Sequence, residues 1–515
     1  MKKSVRLALA VLTVAAFFAF RHWRGDSATP AAAQGGFTRP PDATAFRAGR
    51  LAFKACELAQ PRSAATTAAF CAPFEVPENW DAPATSRKIA LRLALIASDG
   101  AVAERDLVVL LAGGPGQSAI DSWPQVAAAF APLLRHRNVL LLDQRGTGGS
   151  HALACKDSPD PDQAVRSGGL DLWKIKAATR ACLDQVSLAA DPAQYTTGAA
   201  LRDLEAVRQA LGAPQLDLVG VSYGTRVAQQ YLRRYPDAVR SVVLDSAVPN
   251  ELVLGSEFAI DLDAALKAQF ALCTHTPACA AAFGDPYARL YTLRDALREN
   301  PPGVSFRHPR SNALENRRLD AYTLAQVVRL FAYSAETSAL LPLAIDRALK
   351  GDYASLLGQA DLLEDELGEL AGSGMQLSVI CAEDADRLVD RPQDAQLILG
   401  DTLVRAFRAQ CEVWPHGTRS ADFHAPITSD KPVLILGGEF DPVTPPRYAQ
   451  QILKGLPNGR VLVAKGQGHG VMGRGCFPRL VERFVETLDA KHLDAGCIAD
   501  FGPTPAFIDF NGAGP

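Results

Sequence analysis

A serine flanked by glycines is the strongest indication of chemistry in this chain. Ser222 stands in a Gly-Xaa-Ser-Xaa-Gly pattern that runs from Gly220 to Gly224. The apolar segment 215–219 predicts a short buried strand before it, and the segment 225–235 predicts a helix after it. A serine on such a tight strand-to-helix turn holds its hydroxyl out at the edge of a sheet. We therefore predict that Ser222 is a catalytic nucleophile.

Asp441 and His469, far downstream, have the residue types that a serine nucleophile requires, a base and a carboxylate that orients it. Asp441 follows a strand predicted at 431–438, and His469 lies in a glycine-rich loop after a strand predicted at 460–464. The chain order Ser, Asp, His is that of hydrolases with a strand–turn–helix nucleophile. We predict Asp441 as the acid and His469 as the base. Asp245, the alternative acid, is interpreted as a strand-end residue that supports the fold.

A second glycine turn can supply the oxyanion hole. The predicted strand 106–111 runs into a Gly-Gly-Pro-Gly turn at 113–116. Backbone N–H groups in such a turn can point at the carbonyl oxygen of a substrate. We predict that the N–H groups of Tyr223, which follows the nucleophile, and of Gly114 hold the oxyanion. This chemistry needs no metal and no organic cofactor.

A third turn follows the strand predicted at 138–142 and runs from Asp143 to Ser150. We predict that a buried ion pair between Asp143 and Arg145 fixes this turn. Its role is interpreted as structural rather than catalytic.

Together these motifs resemble the α/β-hydrolase peptidases of the proline iminopeptidase and tripeptidyl aminopeptidase group. The N-terminal segment Cys71–Pro77 and the cysteine-bearing C-terminal region resemble the secreted tripeptidyl aminopeptidase branch. Proline iminopeptidases usually carry a histidine where this chain has Ala112. The resemblance implies a serine peptidase that acts at the N-terminus of peptides. The segments that carry it are Gly113–Gly116, Asp143–Ser150, Gly220–Gly224, Val243–Asp245, Asp441–Pro445 and Gly468–Gly470.

The order of strand and helix patterns predicts the fold class. Alternation from residue 88 to 248 indicates an α/β fold with a mostly parallel central sheet flanked by helices. Helix patterns such as 258–274, 287–298 and 321–333 then dominate, which predicts a helical lid inserted late in the sheet. The predicted organisation is a signal peptide or anchor at 1–34, a linker at 35–50, the N-terminal part of an α/β-hydrolase core at 51–249, the lid at 250–425, the C-terminal part of the core at 426–503 and a tail at 504–515.

Carboxylates of the lid are the predicted substrate-binding residues. A peptidase that acts at a free N-terminus needs an anion to bind the substrate ammonium group, and the resembled group uses acids of its lid. Glu383 stands two residues after Cys381, where related secreted peptidases place an acid. We predict Glu383 first and Asp384 second. A surface or ion-paired carboxylate is the alternative for Glu383, and the acidic run 364–369 favours a solvated helix face.

The N-terminus is typical of a targeting segment. Lys2, Lys3 and Arg6 precede an apolar run from Leu7 to Phe20. A run of this length suits a signal peptide and is short for a membrane span. Arg21 directly after the run is unusual for a cleaved signal, so an uncleaved anchor stays open. We predict an exported protein, periplasmic or secreted.

The chain has 10 cysteines, and an even number in an exported protein favours disulfide bonds. The sequence alone does not determine their connectivity. The simplest hypothesis pairs them in sequential order, as Cys56–Cys71, Cys155–Cys182, Cys273–Cys279, Cys381–Cys411 and Cys476–Cys497.

The formal net charge of -3 gives no indication of a nucleic-acid partner. We predict short peptides with a free N-terminus as substrates, and membrane contact only through an N-terminal anchor. A carboxylesterase or lipase-like hydrolase with the same triad is the alternative function. A non-catalytic binding protein on the same fold is a third alternative, which the complete triad disfavours.

Overall fold

A ten-stranded sheet forms the centre of the molecule. The computed structural model describes residues 44–59, 66–100, 103–155, 170–370 and 373–513, without the side chains of 363–370 and 373. Its strands are β1 (Ala45–Ala48), β2 (Leu51–Ala59), β3 (Thr66–Pro77), β4 (Lys88–Ile96), β5 (Leu107–Leu111), β6 (Val139–Leu142), β7 (Leu216–Val221), β8 (Val239–Asp245), β9 (Gly303–Arg307), β10 (Leu314–Arg318), β11 (Val433–Gly438) and β12 (Gly459–Ala464).

The strand order of the large sheet is β1-β2-β3-β4-β6-β5-β7-β8-β11-β12. The pairs from β1 to β4, and β4 with β6, are antiparallel. The pairs from β6 through β5, β7, β8 and β11 to β12 are all parallel. The carboxyl ends of the parallel strands therefore meet at one edge, where ligands of such sheets bind. The predicted fold class is confirmed.

Apolar strands are buried on both faces. In β5 the side chains of Val108 and Leu110 pack into one core cluster, and those of Leu107, Val109 and Leu111 pack into another. This alternation explains why β5 is a continuous apolar run. The helices outside the chain between β8 and β11 are α1 (Ala119–Phe130), α2 (Leu172–Ser187), α3 (Thr197–Leu211), α4 (Tyr223–Arg234), α14 (Pro446–Leu453) and α15 (Phe477–Thr487).

The chain between β8 and β11 is a largely helical insertion with its own apolar cluster. The helices predicted at 258–274, 287–298 and 321–333 are present with ends shifted by at most two residues. The hairpin of β9 and β10 was not predicted. The helices of the insertion are α5 (Phe258–His275), α6 (Pro277–Phe283), α7 (Pro286–Glu299), α8 (Ala321–Phe331), α9 (Ala335–Ser338), α10 (Leu341–Leu349), α11 (Ala354–Leu370), α12 (Ser373–Glu383) and α13 (Thr402–Cys411).

All ten cysteines form disulfide bonds, and the predicted sequential pairing is the one that the structure has. The pair Cys381–Cys411 joins α12 to α13 inside the insertion. The predicted leader at 1–34 lies outside the described residues, whereas strand β1 lies inside the segment predicted as a linker. Among the described helices, none has the length and apolar character that a membrane crossing requires.

Candidate active site

Ser222 lies on the turn between β7 and α4, with a φ of 54° and a ψ of -123°. A side chain at either flanking glycine would collide with backbone. A Cβ at Gly220 would lie 2.5 Å from the carbonyl oxygen of Gly224, and a Cβ at Gly224 would lie 2.0 Å from that of Leu111. The glycines therefore permit the strained turn that presents the serine at the edge of the sheet.

Asp441 and His469 form a hydrogen-bonded pair at the same edge. The Nδ1 atom of His469 lies 2.8 Å from Oδ2 and 3.0 Å from Oδ1 of the buried Asp441 carboxylate. The N–H groups of Val443 and Thr444 also donate to Oδ1, at 2.9 and 2.8 Å. Burial raises the pKa of Asp441, but His469 and these N–H groups outweigh it and lower the pKa to about 2. An ionised Asp441 keeps the proton of His469 on Nδ1, which leaves Nε2 to act as the base.

Thr444 adds a contact that the sequence did not predict. Its hydroxyl donates to Oδ2 of Asp441 at 2.8 Å and lies 3.3 Å from Nδ1 of His469. Thr444 comes three residues after the acid, and a hydroxyl at that spacing can cap the carboxylate of a turn. This spacing was the available signal in the sequence.

Asp245 connects the turn 220–224 that carries Ser222, here called the nucleophile turn, to the glycine-rich loop 466–470 that carries His469, here called the histidine loop. Its carbonyl oxygen accepts the N–H of Ser222 at 2.9 Å. Its carboxylate accepts the N–H groups of Val471 at 3.0 Å and Met472 at 2.8 Å. Asp245 therefore holds the loop that carries His469 and is not the acid that binds its ring.

The electrostatic surroundings of His469 favour its charged form. Burial lowers the pKa of His469, but the carboxylates of Asp441 and Asp245 outweigh burial and leave the pKa above its ordinary value. The Arg329 guanidinium opposes them. An imidazolium at His469 is thus stabilised, as a residue that acts as a general base requires.

The turns that carry the two predicted oxyanion donors lie next to each other. Tyr223 is the first residue of α4, so its N–H has no acceptor within the helix. A Cβ at Gly113 would lie 3.3 Å from Cβ of Ser222, so the turn that contains Gly114 runs alongside the nucleophile. Gly114 has a φ of 106°, a conformation that favours glycine.

The predicted ion pair between Asp143 and Arg145 is wrong. Asp143 accepts hydrogen bonds from the Ser118 hydroxyl at 2.6 Å and from the N–H of Ile120 at 3.0 Å. Both donors lie just after the turn 113–116 that contains Gly114. Arg145 instead forms a fully buried pair with Asp203 of α3, with both N–O distances at 2.6 Å. Two parallel hydrogen bonds to one carboxylate satisfy a buried guanidinium better than Asp143 could, since Asp143 is already occupied.

Both predicted lid carboxylates are fully buried. Oε1 of Glu383 accepts the N–H of Thr197 at 2.7 Å, and Oε2 has no hydrogen-bond partner among the described residues. Burial raises the pKa of Glu383 to about 7 against the opposing charge of Arg226. Asp384 pairs with the buried Arg226 at 2.8 Å. The acidic run at 364–369 lies in α11, and its side chains are outside the description.

Glu383 also lies close to the nucleophile turn. The Tyr223 hydroxyl contacts the Thr197 hydroxyl at 2.6 Å and accepts from the Gln144 amide at 3.3 Å. The same Thr197 donates its N–H to Glu383, so one residue links the lid carboxylate to the neighbour of Ser222. Burial raises the pKa of the Tyr223 phenol, and the negative charge of Glu383 raises it further.

One group of described residues has the chemistry of metal ligands. The ligand atoms of His136, Glu482 and Glu486 lie within 4.8 Å of one another. His136 precedes β6, so the group lies at the edge of the sheet opposite to Ser222. It therefore shares no site with Asp441 and His469.

Comparison with known proteins places this geometry in a family. A family model described as alpha/beta hydrolase fold matches residues 106–473. The serine protease Hip1 of Mycobacterium tuberculosis is 25% identical over 464 residues, which are 84% of this chain and 87% of that protein. The tripeptidyl aminopeptidase of Streptomyces lividans is 29% identical over 217 residues, 39% of each chain.

Two further proteins resemble the chain. Carboxylesterase B of Mycobacterium tuberculosis is 26% identical over 412 residues, 73% of this chain and 76% of that protein. Among solved structures, the proline iminopeptidase of Mycobacterium smegmatis has a TM-score of 0.38 at 18% identity, covering 81% of this chain and 99% of that one.

Proposed function

The chain belongs to the α/β-hydrolase family, and on that basis we propose that it is an exported serine peptidase that removes N-terminal residues from short peptides. The observation that carries the proposal is the hydrogen-bonded pair of Asp441 and His469 at the sheet edge that presents Ser222. Similarity to proteins named serine protease and tripeptidyl aminopeptidase supports the peptidase assignment.

The proposed reaction runs through an acyl-enzyme. Nε2 of His469 takes the hydroxyl proton as Oγ of Ser222 bonds to the substrate carbonyl carbon. Asp441 stabilises the imidazolium, and the N–H groups of Tyr223 and Gly114 hold the oxyanion. When the C–N bond breaks, the imidazolium gives its proton to the leaving amine. Water then attacks the ester with His469 again as base, which releases the N-terminal fragment and Ser222.

Glu383 is the proposed partner of the substrate ammonium group. Oε2 is a buried carboxylate oxygen that accepts no hydrogen bond from the described residues, and a substrate ammonium group would supply the missing donor. Because the side chain has no exposed surface, the proposal requires that the chain around α12 opens when a peptide enters. Asp384, the second predicted residue, is already paired with Arg226, so we assign it to holding this region.

A substrate panel tests the proposed class. The mature protein and its Ser222→Ala variant are compared on free-amine aminoacyl, prolyl and tripeptidyl amides, on N-blocked forms of each, and on a short-chain ester. We expect turnover of free-amine amides that depends on Ser222 and is lost on N-blocking. Hydrolysis of esters alone, with every amide untouched, would move the assignment to an esterase.

Glu383→Gln separates amine recognition from the chemistry. We expect kcat/KM for free-amine amides to fall by about tenfold to a hundredfold, as for the loss of one charged hydrogen bond, while ester turnover is retained. Glu299→Gln, an exposed carboxylate at the end of α7, is the matched control and should change neither substrate. Equal losses on amide and ester would refute amine recognition by Glu383.

Esterase activity is the second candidate because Carboxylesterase B is a relative over most of the chain. The chemistry at Ser222 would be the same, so only the lid separates the two functions. An apolar substrate pocket in which Glu383 contacts no part of the substrate would favour the esterase.

Export is proposed on two grounds. The apolar run between Leu7 and Phe20 follows basic residues, which is typical of a targeting segment. Five disulfide bonds fit an oxidising compartment. N-terminal sequencing of the protein recovered from outside the cytoplasm tests this, and recovery of the protein with reduced cysteines from the cytoplasm would contradict it.

A further inference from the structure

Tyr333 brings the lid into direct contact with the proposed base. It follows α8 and lies in the short turn before α9. Its carbonyl oxygen accepts the N–H of His469 at 2.7 Å. Its ring lies edge-on to the imidazole of His469, with 5.1 Å between the ring centroids and an interplanar angle of 62°. One lid residue therefore contacts both the backbone and the side chain of His469.

The histidine loop is built for this close approach. A Cβ at Gly468 would lie 2.3 Å from the carbonyl oxygen of Tyr333, so only glycine permits the present distance. The carbonyl group of Tyr333 lies past the end of α8. Carbonyl groups at the end of a helix have no N–H donor within the helix, so they need other hydrogen-bond donors. The N–H of His469 supplies such a donor.

Local hydrogen bonds hold the turn that carries Tyr333. The Thr337 hydroxyl donates to the carbonyl oxygen of Phe331 at 2.7 Å, and the Ser334 hydroxyl accepts the N–H of Thr337 at 3.2 Å. A surface ion pair between Glu336 and Arg474 adds a second connection from this turn to the chain after His469. The turn thus has a defined position relative to the histidine loop.

We propose that Tyr333 is a positioning residue for His469, through which the position of the lid sets the activity of the base. This inference rests on the proposed function, because it concerns the same Ser222 chemistry. Its consequence is that lid opening releases both contacts, so that the base is fully oriented only while the lid is closed.

The ring of Tyr333 also covers one side of the imidazole. Burial lowers the pKa of His469, so removal of the ring admits water and should raise that pKa. The charged groups that face His469 are Asp441 and Asp245 from the core, which raise the pKa, and Arg329 from α8, which lowers it. Replacing Tyr333 removes none of these three groups, so the direction of the expected shift is upward.

Tyr333→Ala tests the proposal on a short-chain ester, whose turnover reports the base without any amine recognition. We expect kcat to fall by about tenfold to a hundredfold, as for a misplaced catalytic group, and the acid limb of the kcat/KM profile to move to higher pH. Tyr333→Phe keeps the ring and should recover most of the rate. Tyr353→Ala removes another half-buried lid tyrosine, away from His469, and is the matched control.

The outcomes separate this inference from the proposed function. If Tyr333→Ala behaves as Tyr353→Ala does in rate and in pH profile, Tyr333 has no positioning role, while the peptidase assignment stands. If Ser222→Ala leaves ester turnover unchanged, the proposed function itself fails. Should Tyr333→Ala not fold, Gly468→Ala displaces the same carbonyl from the core side, and an unchanged kcat in that variant would overturn the inference.

Discussion

The edge of the sheet and the lid hold their functional groups in different ways. At the sheet edge, the carboxylates of Asp441 and Asp245 accept backbone N–H groups of the loops that they orient. In the lid, Glu383 keeps one oxygen without a partner among the described residues. The core site is therefore organised before a substrate arrives, whereas under the proposed function a substrate completes the lid carboxylate.

This difference assigns separate tasks to the two regions. A preorganised edge suits bond cleavage, which gains most from groups that need no rearrangement. A lid that opens, as the proposed function requires, suits selection of the substrate. Variants of the core should impair ester and amide turnover equally, while variants of the lid carboxylate should impair only free-amine substrates.

The largest effect is expected from the triad. His469→Ala should lower kcat on ester and amide alike by on the order of 10⁵-fold, and Asp441→Asn by on the order of 10⁴-fold, because the base is lost or wrongly protonated. Steady-state kinetics with circular dichroism as a folding control would measure this. A folded His469→Ala protein that keeps its activity would contradict the assignment of His469 as the base.

Asp245→Ala should impair both stability and rate. The variant leaves the N–H groups of Val471 and Met472 buried without an acceptor, at about 1–3 kcal/mol each. We expect the free energy of unfolding to fall by about 2–6 kcal/mol and kcat to fall about a hundredfold, as His469 is misplaced. Urea unfolding and ester kinetics measure the two, with the exposed Asp237→Ala as the control.

Thr444→Val should have a smaller effect, confined to catalysis. Loss of the hydroxyl removes a hydrogen bond to the ionised Asp441, which corresponds to about tenfold to a hundredfold in kcat. Thr444→Ser keeps the hydroxyl and should stay close to the original rate on ester and amide. If Thr444→Ser lost as much as Thr444→Val, the methyl group rather than the hydroxyl would matter.

The smallest expected effect is a pH dependence that only the lid produces. The pKa of Glu383, raised by burial to about 7, means that its carboxylate is ionised above about pH 7 and neutral below it. The ionised fraction of Glu383 falls about tenfold between pH 8 and pH 6, so the ratio of kcat/KM for a free-amine amide to that for an ester should fall by up to about tenfold. The loss of activity as His469 is protonated affects both substrates and cancels in this ratio. In Glu383→Gln the ratio should be independent of pH.

The core edge was the more predictable region because its signals are local. Continuous apolar runs indicate strands such as β5 and β7, and the glycines around Ser222 are demanded by contacts within one turn. The candidate residues Ser222, Asp441 and His469 all follow strands, so their common edge follows from a parallel sheet.

What the sequence did not predict depends on contacts between distant residues. Arg145 binds Asp203, which lies 58 positions away on another element. The hairpin of β9 and β10 is largely exposed and polar, so it lacks an apolar alternation that would indicate strands. The contact of Tyr333 with His469 depends on how the lid packs on the core, which no local pattern encodes.

Covalent labelling tests the central claim that Ser222 is a nucleophile activated by His469. The protein is treated with a fluorophosphonate, and the adduct is located by mass spectrometry in the original chain, in Ser222→Ala and in His469→Ala. We expect one adduct per chain, on Ser222, and little labelling of either variant. An adduct on another residue, or labelling of His469→Ala at the original rate, would contradict it.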